Sequence, residues 1–285
     1  MLEQFLDVIL DTLIDGVKLL PFLFLTYLAM EYIEHKVSGK TKAAIKKSGK
    51  AGPLIGGVLG AFPQCGFSTA ASNLYAGKVI TVGTLIAIYL STSDEMLPVM
   101  LSEKISVTLI IKIILTKVVI AVIAGLVIDF VIRKIRKSEI TLDKIGHMCD
   151  HDHCHCEKSI FKSALKHTVV IFGFILGISF ILNVIIMFIG EDTLAGLILN
   201  RPVIGPLISG IVGLIPNCAA SVVITQLYIN GVMSFGSMMA GLLPGAGVGI
   251  LVLFKENDNL KENLKILGTI YAIGVICGIV IDLFI

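Results

Sequence analysis

Apolar residues in this chain fall in long blocks that do not alternate, a pattern of buried or lipid-facing helices rather than strands. Six blocks are long enough to cross a hydrocarbon core of about 30 Å, which takes about 20 helical residues. They lie near 13–34, 79–100 and 107–132, and again near 164–188, 232–253 and 264–285. Between the first two of each set sits a Gly/Pro-rich stretch, 52–76 or 205–229, divided by Pro63 or Pro216. Its pieces of roughly 10 and 13 residues reach only about 15–20 Å, half a bilayer. They fit either one kinked span or a re-entrant helical hairpin.

The two sets are copies of one design. Residues 52–90 align without a gap on 205–243, with 15 identities in 39 positions. The same offset of 153 pairs Gly125 with Gly278 and Asp129 with Asp282. The chain therefore divides into a first membrane repeat, 1–132, a polar linker, 133–158, and a second membrane repeat, 159–285. Small residues at four-residue spacing (Gly56 and Gly60, Ser209 and Gly213, Ala121 and Gly125, Gly274 and Gly278) predict close helix contacts.

Composition agrees with a membrane protein. Hydrophobic residues make up 55% and charged residues 15%, against about 45–50% and about 25% in globular proteins, and the mean hydropathy is +0.93. The net charge of +2 is too small for a nucleic-acid footprint. The MLEQFLD start lacks a basic n-region, so no cleaved signal peptide is expected.

Charge then decides topology. Residues 36–50 carry six lysines and no acid, and the linker carries Arg133, Lys134, Arg136, Lys137, Lys144 and Lys158. Both are expected on the cytoplasmic side of the membrane. An even number of crossings must separate them, and 79–100 and 107–132 supply two. Residues 52–76 should then leave and return on one side, as a re-entrant hairpin. The expected fold is an all-α polytopic membrane protein of two inverted-topology repeats, each with three spanning helices and a Pro-broken hairpin.

Polar groups in lipid are costly and count as functional candidates. The hairpin tips repeat an amide, a thiol and hydroxyls in register: Gln64 with Asn217, Cys65 with Cys218, Ser68 with Ser221, Asn73 with Gln226. The plain alternative is that they satisfy the broken helix ends. A second feature has no partner in the other repeat: Ser91, Ser93, Asp94 and Glu95 fall inside the span 79–100, where the second copy has Pro244 to Val248. Lys117 lies at a matching depth in the next span. A structural ion pair is the simple reading, but one ammonium cannot neutralise two carboxylates. A metal or a titrating proton would complete the balance, and Asp94, Glu95, Cys65 and Cys218 are the candidate transport ligands.

The linker run His147, Cys149, His151, His153, Cys154, His155 and Cys156 is too dense for a zinc finger. It suits a flexible chelating loop for Zn²⁺-like ions, with a solvated linker as the bland alternative.

The segments AFPQCGFSTAASNLYAG, LSTSDEMLP and GLIPNCAASVVITQLY resemble the bacterial manganese-transporter or heavy-metal-exporter family, also labelled arsenic-efflux-like. The resemblance covers nearly the whole chain and implies about ten hydrophobic segments, which counting each hairpin limb also gives. It implies export of divalent heavy metals. Mn²⁺ leads if acids, amides and carbonyls form the site, and Zn²⁺, Co²⁺ or Cd²⁺ if the thiols join. No P-loop is present, so proton antiport is the expected drive. The expected partners are the bilayer and metal ions, with a homodimer left open, and no tightly bound cofactor.

Two other readings remain. The hairpin helix ends could bind an anionic or organic solute, arsenicals included, with Asp94 and Glu95 holding a coupling cation. An intramembrane hydrolase is the enzymatic alternative, but no His-Glu-x-x-His or Gly-x-Ser-x-Gly motif supports it, and no enzyme is expected.

Overall fold

The computed structural model describes residues 51–62, 65–93, 96–135, 160–189 and 203–284, with 9–10, 12–14, 17, 20–21, 24–25 and 27–28 near the N-terminus. All regular structure among the described residues is helical. The early ones at 9–28 are helical, and eleven further helices follow. These are α1 (Gly52–Gly60), α2 (Cys65–Ala76), α3 (Val82–Ser91), α4 (Met96–Ser102), α5 (Val107–Ile135) and α6 (Ile160–Ile189). The last five are α7 (Ile204–Gly213), α8 (Cys218–Ile229), α9 (Phe235–Leu242), α10 (Val248–Glu256) and α11 (Leu260–Phe284). The starts of α2, α3 and α5 recur 153 residues later in α8, α9 and α11.

Two of the predicted spans are not continuous. The stretch 79–100 divides into α3 and α4, and 232–253 divides into α9 and α10. The first break follows from Ser91-Thr92-Ser93, whose hydroxyls turn back on the helix. Ser91 and Thr92 both donate to Ile88 O, at 3.0 and 2.7 Å, and Ser93 donates to Ser91 O at 3.1 Å. Such local bonds compete with helix continuation. The second break holds Pro244, which cannot donate to the ladder, and Gly247 at φ 53°, a left-handed conformation that favours glycine. By contrast, α5 and α11 are unbroken, at 29 and 25 residues, and both are long and apolar enough to cross a bilayer.

Each half ties its helices with the same clasp. Asp129, near the end of α5, accepts from Thr81 Oγ1 at 2.6 Å and from Gly83 N at 2.9 Å. Asp282, near the end of α11, accepts from Ser234 Oγ at 2.7 Å and from Gly236 N at 2.7 Å. Thr81 and Ser234 are also the N-caps of α3 and α9. A carboxylate at a helix N-terminus meets unpaired N–H groups and the positive end of the dipole. Close approach is possible because a Cβ at Gly83 would strike the Gly125 carbonyl, and one at Gly236 the Gly278 carbonyl. Gly56 and Gly60 likewise let α1 lie on α3, and Gly213 lets α7 lie on α9.

Hydrogen bonds to a charged group contribute about 1.5–3 kcal/mol. Asp129→Asn and Asp282→Asn should therefore each lower stability by roughly that amount, and by similar amounts, in thermal melts of detergent-solubilised protein. A loss confined to one of the two would show that the clasps are not equivalent.

The halves interlock. α2 packs along α10, and α8 packs on α4. Where α2 meets α10, a Cβ at Gly249 would overlap Ser68, so the backbones touch directly. At one end, Tyr75 and Lys78, at and just past the C-terminus of α2, meet Glu262 of α11. At another, Lys112 of α5 lies over the Phe235 ring at the start of α9, 5.3 Å from its centroid.

Candidate functional site

The two breaks lie against each other, and Lys117 joins them. It sits on α5, 1% exposed, and its ammonium donates to Thr92 O at the end of α3. It also donates to Leu242 O at the end of α9, at 2.8 Å. Helix C-termini carry unpaired carbonyls and partial negative charge, so one cation serves both ends. On α3 the arrangement is complete, with Asp129 at its N-terminus and Lys117 at its C-terminus, both from α5. On α9 the acid is Asp282 of α11, but the position matching Lys117 is Ile270. The lysine of the first half takes its place.

A shallow hollow, with room for about one water, opens beside the second break, lined by Gly213, Ile215, Asn217, Ser221, Gly241, Gly245 and Gly247 among others. Asn217 and Ser221 are thus brought to one space. Asn217 caps α8, its side-chain oxygen accepting from Ala219 N at 2.8 Å.

On the first-half side, Ser68 and Asn73 are fully buried. Ser72 donates within reach of Ser68 O and Gly249 O, at 2.8 and 2.7 Å, and meets Tyr89 OH at 2.7 Å. Tyr89 OH also donates to Gly249 O at 3.1 Å. This knot joins α2, α3 and α10. Asn73 accepts at Oδ1 from Tyr27 OH at 3.3 Å. Its Nδ2 and Ser209 Oγ are buried atoms with no hydrogen-bond partner among the described residues.

The predicted site residues are therefore only partly gathered. Ser91 and Ser93 lie buried in the first break, with Lys117 on the Thr92 carbonyl between them. Gln226, matched in sequence to Asn73, is exposed on α8. Cys65 and Cys218 each begin a helix, α2 and α8, but their side chains fall outside the described residues. So do Gln64, Asp94, Glu95 and the whole run from His147 to Cys156. Among the described residues, no three His, Cys, Asp or Glu side chains come together.

The sequence reading missed the carbonyls of Thr92 and Leu242, the Ser72–Tyr89 knot and both clasps. Only the clasps had left a signal, in the paired identity of Asp129 and Asp282.

The family model for heavy-metal exporters, described as "Putative, 10TM heavy-metal exporter", matches residues 4–192 and 180–285. The chain belongs to this family. This exporter-family protein is accordingly a multi-pass membrane protein of a transporter family rather than an enzyme family. No curated protein and no solved structure matches it.

If the His/Cys-rich run is a chelating loop outside the membrane, as its sequence leads us to expect, deleting 147–156 from this exporter-family member should leave flux intact. Sensitivity to Zn²⁺-like ions should fall, as read in vesicle uptake over a range of metal concentrations. Loss of all flux in a well-folded deletion would place the loop in the transport path.

Proposed function

We propose that this protein is a secondary exporter of divalent heavy-metal cations, Mn²⁺ foremost, with Zn²⁺, Co²⁺ and Cd²⁺ as further substrates. Proton antiport drives it across the bacterial inner membrane, with the linker in the cytoplasm. The observation that carries this reading is the meeting of two broken helices, one from each half, whose carbonyl ends already serve a cation, the Lys117 ammonium. Backbone carbonyls at helix breaks are hard oxygen ligands suited to such ions. Asp94 and Glu95 follow directly on the first break in sequence and supply the negative charge that a divalent ion or a proton needs.

The two halves are taken as inverted repeats with re-entrant hairpins. Contacts support this. Lys112, near the start of α5, meets the start of α9, while Glu262, near the start of α11, meets the end of α2. With Asp129 tied to Thr81 and Asp282 to Ser234, α5 and α11 then run in opposite senses. The lysines at 36–50 agree with the same orientation.

The anion reading is less favoured, because Asn217 already occupies one donor, Ala219 N, at the N-terminus of α8. Proteoliposome flux of a panel of divalent ions, with and without a pH gradient, tests the proposal. Metal flux accelerated by the gradient is expected, and flux of oxyanions alone would refute it. If the hairpin tips converge, Cys65→Ser with Cys218→Ser should lower Cd²⁺ flux relative to Mn²⁺, since hydroxyl is the harder ligand. Unchanged relative rates would make both thiols packing residues.

A further inference from the structure

Helix α2 ends in a turn that the second half repeats at the end of α8. In the first copy Gly77 N donates to Asn73 O, Lys78 N to Tyr75 O and Val79 N to Leu74 O, at 2.9, 2.9 and 2.8 Å. In the second, Asn230 N donates to Gln226 O, Gly231 N to Tyr228 O and Val232 N to Leu227 O, at 2.9, 3.0 and 3.0 Å. Both turns hold a left-handed residue at the matched position, Gly231 at φ 72° and Lys78 at φ 57°. Glycine takes that conformation without steric cost, and a residue with a Cβ does not. The first half thus keeps a lysine where its own turn favours glycine, which points to a role for the side chain.

That side chain reaches across to the other half. Its ammonium lies 3.7 Å from Glu262 Oε2, near the start of α11, and 4.8 Å from the centroid of the Tyr75 ring. Tyr75, 2% exposed, donates from its hydroxyl to the other oxygen of the same carboxylate. The turn between α10 and α11 is fixed by its own amides. Asn257 Nδ2 stands 3.5 Å from Glu262 Oε2 and donates to Asn263 Oδ1 at 2.7 Å, while Asn263 Nδ2 donates to Asn257 O at 2.8 Å.

The matched positions of the other half hold no charged residue: Tyr228 stands for Tyr75, Gly231 for Lys78 and Leu109 for Glu262. Tyr228 packs on the Phe235 ring, 5.9 Å between centroids, and Leu109 packs against the core. An ionic tie between the halves is therefore built at one junction and cannot form at its counterpart. The Lys78 and Glu262 side chains are 32% and 29% exposed. A partly exposed ion pair is weak, so this tie can open and re-form within a transport cycle.

We infer that Lys78, Tyr75 and Glu262 form a gate, an ionic clamp that closes the cytoplasmic entrance between α2 and α11 and parts when a metal ion enters from the cytoplasm. The inference rests on the export reading and its inverted-repeat topology, which put the end of α2 and the start of α11 on the cytoplasmic side.

The test is Mn²⁺ uptake into inside-out membrane vesicles, whose cytoplasmic face meets the medium, by wild type, Lys78→Gly and Glu262→Gln. Lys78→Gly gives the first turn the residue that the second already has, so the melting point in detergent should hold or rise. Glu262→Gln keeps an acceptor for Tyr75 and removes the charge. Breaking the clamp raises the fraction of protein open to the cytoplasm, and apparent affinity follows that fraction, so KM for Mn²⁺ should fall roughly threefold or more in both variants. Combining the two changes should lower it no further, because both break one tie. A local field predicts another pattern, since losing a positive charge and losing a negative one would move KM in opposite directions. Opposite shifts, an unchanged KM or lost uptake in either variant, or a further fall on combining them, would overturn the gate and leave metal export standing. A large fall in the Lys78→Gly melting point would make the clamp a structural tie and overturn it as a gate. A wild type that carries neither Mn²⁺ nor any other divalent ion would overturn the export reading, and the gate with it.

Discussion

Lys117→Met is expected to destabilise the protein by about 2–5 kcal/mol, visible as a large fall in melting temperature in detergent. Methionine keeps the apolar stem and removes the donor. The carbonyls of Thr92 and Leu242 are then left at helix ends with nothing in their place. Each buried acceptor deprived of its partner costs about 1–3 kcal/mol, and the charge–dipole attraction at two C-termini is lost with it. Because the two carbonyls belong to different halves, the damage should reach both, with helix loss and loosened contact between α5 and α9. Lys117→Arg should recover part of the loss, since it restores charge and donors. An unchanged melting point for the methionine variant would mean that water reaches these carbonyls freely, and the junction would not be a dry one.

Asp94→Asn should abolish transport while leaving the protein folded. Ser93 and Met96, which flank the Asp94–Glu95 pair, are each 1% exposed, and the pair follows the carbonyl end of α3. A carboxylate at membrane depth costs roughly 2.5–3.5 kcal/mol on insertion scales. The matched positions in the second half, Gly247 and Val248, do without one. Asparagine keeps size and hydrogen bonding but cannot take a proton or balance a divalent ion. The measurement is metal flux in proteoliposomes across pH, with melting temperature recorded alongside. Wild-type flux by the variant at every pH would remove Asp94 from the transport path.

Much of the architecture was legible in the sequence because it is written twice. The offset of 153 residues places α8, α9 and α11 from α2, α3 and α5. Pro63 and Pro216 fall between α1 and α2 and between α7 and α8. The divided spans were less visible, because α3–α4 and α9–α10 are apolar through the break, and hydropathy does not sense a hydroxyl folding back on Ile88 O. Pro244 and Gly247 were the warning in the second half. Lys117 could be matched by depth to the acidic pair, but its bond to Leu242 O crosses 125 positions. No periodicity encodes that. Backbone carbonyls escape any reading of side-chain letters, and so the Thr92 and Leu242 acceptors were silent until α3, α5 and α9 were seen together. Gln226 shows the opposite failure. Its letter matches Asn73, yet one amide is exposed on α8 and the other is buried under Tyr27.

The single lysine also bears on ancestry. A duplicated gene begins with two equal halves, and such halves can in principle pair as separate chains. Here two copies of the first half would bring two ammonium groups to the centre, where the observed pair of helix ends shares one. Two copies of the second half, with Ile270 at that position, would bring none. The two halves are therefore no longer interchangeable at this junction.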